Sequence, residues 1–222
     1  MEKCCKHIHP KDEFNWGANE VLIPVSTKTD GIVKNKPLSL EVSRAIIPIL
    51  LQKRSQAGYG AVLSTHLGMR LGEDVCIQVK NIHFTNGEFG YGYANIVEGK
   101  AGGAKNGTPR IIPIIDQEAQ DALKFIVAGK KSDDYVLAKK CGNKMTKGNV
   151  LKIIGEIMDT KCKDTYKGNR CHAMRKTWAQ RYFDLVRPGC SREEAVAKTN
   201  EVLGHAIGSG EQGLKDYVKN IY

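Results

Sequence analysis

The sequence predicts a mainly helical α+β domain with one small antiparallel sheet of three strands. Two observations carry this. Apolar residues recur at helical spacing before Gln78 and again after Asp116, whereas between Gln78 and Ile115 the period drops to two. The chain has 222 residues, 41% hydrophobic and 26% charged, which suits one large domain with an appendage and a buried core.

Residues 1–37 form an N-terminal extension with few signals. In it, Val21–Val25 reads as a short edge strand and Ser26–Pro37 as a polar linker or exposed hairpin. Cys4, Cys5, His7 and His9 have the side chains of a zinc site, but they are too cramped and no second ligand pair follows, so no metal is expected. Residues 38–222 form the main domain. Its first helix runs from Leu38 to Arg54, with Ser39 as N-cap and Glu41 in the first turn. Pro48 should kink or split it. Gly58 and Gly60 should punctuate the chain before a second helix through Ala61–Arg70.

In the sheet region Ile82 and Phe84 alternate, Asn86-Gly87 suits a type I′ hairpin turn, and Phe89, Tyr91 and Tyr93 continue the alternation. A Gly-rich loop, Glu98–Pro109, leads to the third strand, RIIPII; Pro113 places that strand at an edge or on a bulge. Asp116 then caps a helix with Ala119, Leu123, Ile126 and Val127 on one face and Gly129 as its stop. A short apolar link, Asp134–Ala138, precedes a helix from Thr146 to Met158 that turns Leu151, Ile154, Ile157 and Met158 inward. The basic loop Lys161–Arg170 leads to a helix opened by His172, anchored by Trp178 and by Phe183 or Leu185, and ended by Pro188-Gly189. Ser191 and Glu194 make a capping box for a helix that buries Ala195, Thr199, Val202 and Leu203 and stops at Gly204.

Net charge is +10, a footprint that suits nucleic acid once a phosphate-binding motif is present. No stretch approaches the ~20 apolar residues of a membrane span, and the opening residues are polar, unlike a signal peptide. Seven cysteines in that setting read as reduced thiols of a cytosolic protein.

The chemistry gathers in the last quarter. His172 and Arg175 stand three apart, on one face of a helix whose N-terminal end favours an anion. A guanidinium adds a bidentate fork for phosphate oxygens. His205 follows a helix stop, and Tyr217 is expected on the next helix, on an apolar stripe with Leu214, Val218 and Ile221. The set reads as a phosphate clamp beside an oxygen nucleophile.

H-x-x-R, then L-G-H, then a Tyr near the C-terminus resembles the signature of the tyrosine recombinase (phage integrase) family. Upstream, Thr65–Glu73 is similar to that family's first box, with Arg70 in the position of the first catalytic arginine and Glu73 as the acid that buttresses it. Lys105–Pro113 is similar to its K-x-x-x-x-R-x-[IV]-P hairpin, which implies Lys105 as general acid, with Lys100 as rival. The His205-to-Tyr217 interval is a few residues longer than the common spacing, and Tyr222 is the second candidate nucleophile. The resemblance covers residues 38–222 and implies the catalytic-domain fold, a helical bundle with a small three-stranded sheet. It also implies site-specific cleavage and rejoining of double-stranded DNA through a 3′-phosphotyrosyl link, with a free 5′ hydroxyl, no cofactor, no metal and no ATP. Arg70 and Arg175 would hold the non-bridging oxygens, His205 would add a hydrogen bond, and His172 would act as acid/base for Tyr217. Members assemble as tetramers on DNA, so a monomer is expected in free solution. Residues 1–37 are too short for the usual N-terminal DNA-clamping domain, which implies a catalytic fragment or a compact recombinase. A type IB topoisomerase-like nicking-closing enzyme shares this chemistry, and a catalytically silent DNA-binding module could share the fold.

Overall fold

The structure, a computed structural model, describes residues 38–53, 55–97, 109–161, 170–206, 208–215 and 217–218. The expected edge strand, linker and cramped Cys/His cluster of residues 1–37 lie outside them, as do Lys100, Lys105, Tyr222 and most of the basic loop before His172.

The elements are α1 (Leu40–Lys53), α2 (Ser55–His66), α3 (Leu71–Asp74), β1 (Ile82–His83), β2 (Tyr93–Ile96), β3 (Arg110–Pro113), α4 (Gln117–Val127), α5 (Lys147–Lys161), α6 (Arg170–Val186), α7 (Arg192–Leu203) and α8 (Gly210–Leu214). Helices α1, α2, α4, α5 and α6 surround one core. Ile46, Ile47, Leu50, Val62, Leu63, Leu123, Ile126, Ile154, Met158, Met174 and Trp178 are fully buried there. Trp178 stacks on Tyr182 one turn along α6, with ring centroids 5.3 Å apart.

Several caps follow the sequence. The Ser39 hydroxyl accepts from Val42 N at 3.3 Å, Asp116 accepts from Ala119 N at 2.8 Å, and Ser191 and Glu194 exchange bonds at 3.2 and 2.8 Å. Gly204 ends α7 at φ 63°, a left-handed conformation that favours glycine.

The splits expected at the breakers do not form. Pro48 neither splits nor ends α1. A proline inside a helix costs about 3 kcal/mol, but Ile46, Ile47 and Leu50 around it are completely buried, at about 1.5–3 kcal/mol each, so packing wins. Gly58 and Gly60 lie inside α2, which ends at His66 rather than running to Arg70. At Gly58 a Cβ would stand 2.6 Å from the Leu51 side chain and 2.8 Å from its backbone N, so glycine is what lets α2 start against α1.

β1, β2 and β3 form an antiparallel sheet in that order. Pro113 sits on β3, an edge strand, as expected. The Asn86-Gly87 turn is not type I′: that turn needs positive φ at both positions, and only Asn86 has it, at 55°. His83 pairs with Tyr93, so Phe84 to Gly92 make a longer connection and Phe89 and Tyr91 lie outside the strands. In α5 Ile154, Ile157 and Met158 face inward as expected, and Val150 takes the inward place expected of Leu151, which is 39% exposed. Leu185 is likewise exposed, and Trp178 and Phe183 anchor α6.

Candidate active site

Glu73 is the centre from which the site is built. Its carboxylate has no exposed surface and accepts three hydrogen bonds from two segments. The Arg70 backbone N–H donates to Oε2 at 2.7 Å, and the Arg70 guanidinium donates to Oε1 at 3.1 Å. Arg110, from β3, donates to Oε2 at 2.7 Å. Burial pushes the Glu73 carboxyl up, but the Arg110 bond and charge, the Arg175 charge and the Arg70 backbone bond outweigh it, and its pKa lies below the ordinary value. Glu73 is therefore ionised at neutral pH, as a buried carboxylate held by guanidiniums should be.

Both arginines reach onward to the end of α7. Arg70 donates to Gly204 O at 2.9 Å, and Arg110 donates through Nε to Val202 O at 2.9 Å. Gly204 is required here twice over, since a Cβ would also stand 3.0 Å from the Arg110 guanidinium. These bonds use carbonyls left open at a helix C-terminus, whose dipole favours cations.

Arg175, in the second turn of α6, is 1% exposed. It donates to Gly68 O and, at 2.5 Å, to Leu203 O. It thus ties the turn before Arg70 to the turn before His205. Burial, aided by the Arg70 charge, pulls its guanidinium down to about 10, so it stays a cation at neutral pH. Its Nε is buried and has no hydrogen-bond partner among the described residues.

Tyr217 lies among these groups. It is not on a helix, as the sequence suggested: α8 ends at Leu214 and Tyr217 falls in the turn that follows, its N–H bonded to Leu214 O at 2.7 Å. The glycine-rich interval makes α8 only five residues long. The Tyr217 ring meets His172 edge to face at 5.0 Å between centroids and His205 at 4.9 Å. The Arg175 guanidinium lies 5.7 Å from the ring centroid and the Lys176 ammonium 5.5 Å. His205 Nδ1 lies 2.7 Å from Asn200 Oδ1. Burial, then the charges of Arg175, Arg70, Arg110 and His172, pull the His205 imidazole down to about 4.

Six of the seven expected residues, Arg70, Glu73, His172, Arg175, His205 and Tyr217, are thus linked directly or through one shared neighbour. Lys105 falls outside the described residues. Sequence reasoning overlooked three participants. Arg110 was visible as the Arg of the hairpin motif but had no role attached; Lys176 and Asn200 carried no signal beyond their neighbours Arg175 and His205. Among the described residues no cluster of His, Cys, Asp and Glu could hold a metal ion, and no helix is long and apolar enough to cross a membrane.

No protein-family model matches the sequence, and no curated protein matches it. Solved structures do. XerA recombinase is similar with a TM-score of 0.56 and 16% identity, covering 83% of this chain and 60% of that one. A λ integrase dimer bound to a COC′ core site gives 0.55 and 17%, covering 86% and 51%. Tn1549 transposon integrase, in complex with circular intermediate DNA, gives 0.55 and 17%, covering 88% and 64%. The chain spans between half and two thirds of the length of these tyrosine recombinases. Mainly helical, with a small three-stranded antiparallel sheet, the chain has the tyrosine recombinase catalytic-domain fold.

Proposed function

We propose that this protein is a site-specific DNA recombinase of the integrase type, and that Tyr217 attacks a DNA phosphodiester to form a 3′-phosphotyrosyl intermediate. The observation that carries the reading is the position of the Tyr217 ring, against both His172 and His205 and beside the Arg175 guanidinium. A free phenol has a pKa of about 10 and is a weak nucleophile at neutral pH, so a nucleophilic tyrosine needs a base within contact, and two imidazoles are there. Arg70 and Arg175 take the role of a phosphate clamp: fixed in place before substrate arrives, they lose little reorganisation energy when charge builds on the non-bridging oxygens. Glu73 and Arg110 hold Arg70 from behind. Lys105 would protonate the leaving 5′ oxygen. The link conserves the energy of the phosphodiester, so religation needs no ATP, and two guanidiniums do the charge work with no cofactor.

The partner in this reading is double-stranded DNA, supported by the basic charge of +10 and by fold relatives solved on DNA. The protein would be a monomer in free solution and assemble as a tetramer on its sites, acting in the bacterial or phage-infected cytoplasm on a mobile element. Residues 38–222 would make up the catalytic domain and residues 1–37 an extension of it. The test is a nicked suicide duplex incubated with wild type, Tyr217→Phe and Tyr222→Phe. A covalent protein–DNA adduct lost in Tyr217→Phe and retained in Tyr222→Phe supports the reading; no adduct from wild type would leave a silent DNA-binding module of the same fold.

A further inference from the structure

The Asn200 side chain lies between two partners that fix which way it faces. Its Nδ2 donates to Gly210 O at 2.8 Å. The amide oxygen is thereby turned to His205 Nδ1, 2.7 Å away. An amide oxygen only accepts, so Nδ1 must carry a proton. The backbone adds a second tie, His205 N donating to Asn200 O at 2.9 Å. The charged groups around the ring, Arg175 from α6, Arg70 before α3, Arg110 from β3 and His172, oppose a second proton, as does burial. A neutral imidazole with its proton on Nδ1 presents a bare lone pair at Nε2. Among the described residues, Tyr217 is the ring packed edge to face on both imidazoles of the site.

We propose that Asn200 is a positioning residue which holds His205 as the Nδ1–H tautomer, so that Nε2 takes the Tyr217 phenol proton rather than donating to the phosphate from the outset. This rests on the recombinase reading and alters one role in it. The proton moves from Tyr217 Oη to His205 Nε2. The phenolate oxygen bonds to phosphorus while the bond from phosphorus to the 5′ oxygen breaks, and that oxygen takes its proton from Lys105. The imidazolium so formed has an Nε2–H to offer a non-bridging oxygen only when negative charge has gathered there, and it returns the proton to Tyr217 when the 5′ hydroxyl attacks back. A hydrogen bond that forms with the transition state accelerates the step, whereas one already present in the ground state does not.

Two measurements decide this. Imidazole ¹⁵N correlation spectra of the DNA-free protein at pH 7 report the tautomer directly. We expect Nδ1–H for His205 in wild type and loss of that preference in Asn200→Ala; an Nε2–H tautomer in wild type overturns the proposal. In the suicide-substrate assay, Asn200→Ala should slow adduct formation by up to about 100-fold, the low end of the roughly 10²–10⁴-fold that a positioned acid–base group contributes. Asn200→Asp retains an acceptor for Nδ1–H and raises the imidazole's affinity for a proton, so it should keep the tautomer but move the acid limb of the pH–rate profile to higher pH. An Asn200→Asp profile with an unmoved acid limb, or a full-rate Asn200→Ala, contradicts the proposal. If wild type forms no adduct, the recombinase reading fails by itself, and the spectra still decide whether Asn200 sets the tautomer.

Discussion

Arg110 Nη2 and Glu73 Oε2 lie 2.7 Å apart with 5% and no exposure, joining the edge strand of the sheet to the short helix behind Arg70. A buried pair of this kind holds its geometry because each charge has nowhere else to go, and removing one partner strands the other.

Glu73→Gln should therefore be costly in two ways. It keeps the shape but leaves Arg110 and Arg70 without their counter-charge, at about 3–5 kcal/mol of stability, and it loosens the Arg70 guanidinium, whose remaining tie is to Gly204 O. Urea denaturation at pH 7 reads the first effect. Because the folded-state pKa of Glu73 lies below its unfolded value, its contribution is present above the unfolded pKa of about 4.3 and is lost as pH falls through the folded one. The gap between variant and wild type should thus narrow in acid.

His66 gives a second pH signature, away from the site. It is 1% exposed, its Nδ1 has no hydrogen-bond partner among the described residues, and burial is the chief cause of a pKa near 4. The charges facing it, Glu118 and Asp116 on one side and Arg44 and Arg181 on the other, nearly offset each other in two ion pairs. With the folded pKa depressed, the unfolded chain binds the extra proton first, so stability should fall as pH drops from about 6.5 to about 4, at up to about 1.4 kcal/mol per pH unit from this group. Denaturation midpoints of wild type and His66→Gln across that range measure the difference.

Gly68 precedes Arg70 at φ +59°, and a Cβ there would stand 2.4 Å from the Trp178 ring. Gly68→Ala should cost about 2–5 kcal/mol, combining left-handed backbone strain with overpacking. Because Gly68 O is also an acceptor for Arg175, the variant should lose adduct formation even at temperatures where circular dichroism shows it folded.

Arg175→Lys keeps a positive charge but not the fork. A single ammonium cannot reach Gly68 O and Leu203 O while leaving donors for a phosphate. Adduct formation should fall about 100-fold or more, in the range for losing a preorganised donor to an oxyanion. Equal rates for Lys and Arg would show that charge alone matters here.

Much of this was legible in sequence because caps and helix stops are local. Asp116, Ser191 with Glu194, and Gly204 need only their own neighbours to act, and each acts as read. What sequence hid was decided by distant packing. Gly58 and Gly60 read as breakers, yet Gly58 sits where α2 touches Leu51, a fact of three dimensions. Pro48 is carried by buried isoleucines around it. Asn86-Gly87 looked like a tight turn, but the register set by Ile82 and Ala94 demanded a longer one. In the site, residues at recognisable spacing were found and their supports were not. Arg110 and Lys176 act across gaps in sequence that no periodicity spans, and Asn200 reaches His205 only because the chain turns at Gly204.

The central claim is that Tyr217 is the atom donor for the DNA link, and peptide mapping of the trapped adduct tests it most directly. Trypsin separates Asp216-Tyr217-Val218-Lys219 from Asn220-Ile221-Tyr222. The account predicts that, after nuclease digestion, the added nucleotide mass appears on the peptide with Tyr217. The same mass on the peptide ending in Tyr222, with the Tyr217 peptide unmodified, would contradict it.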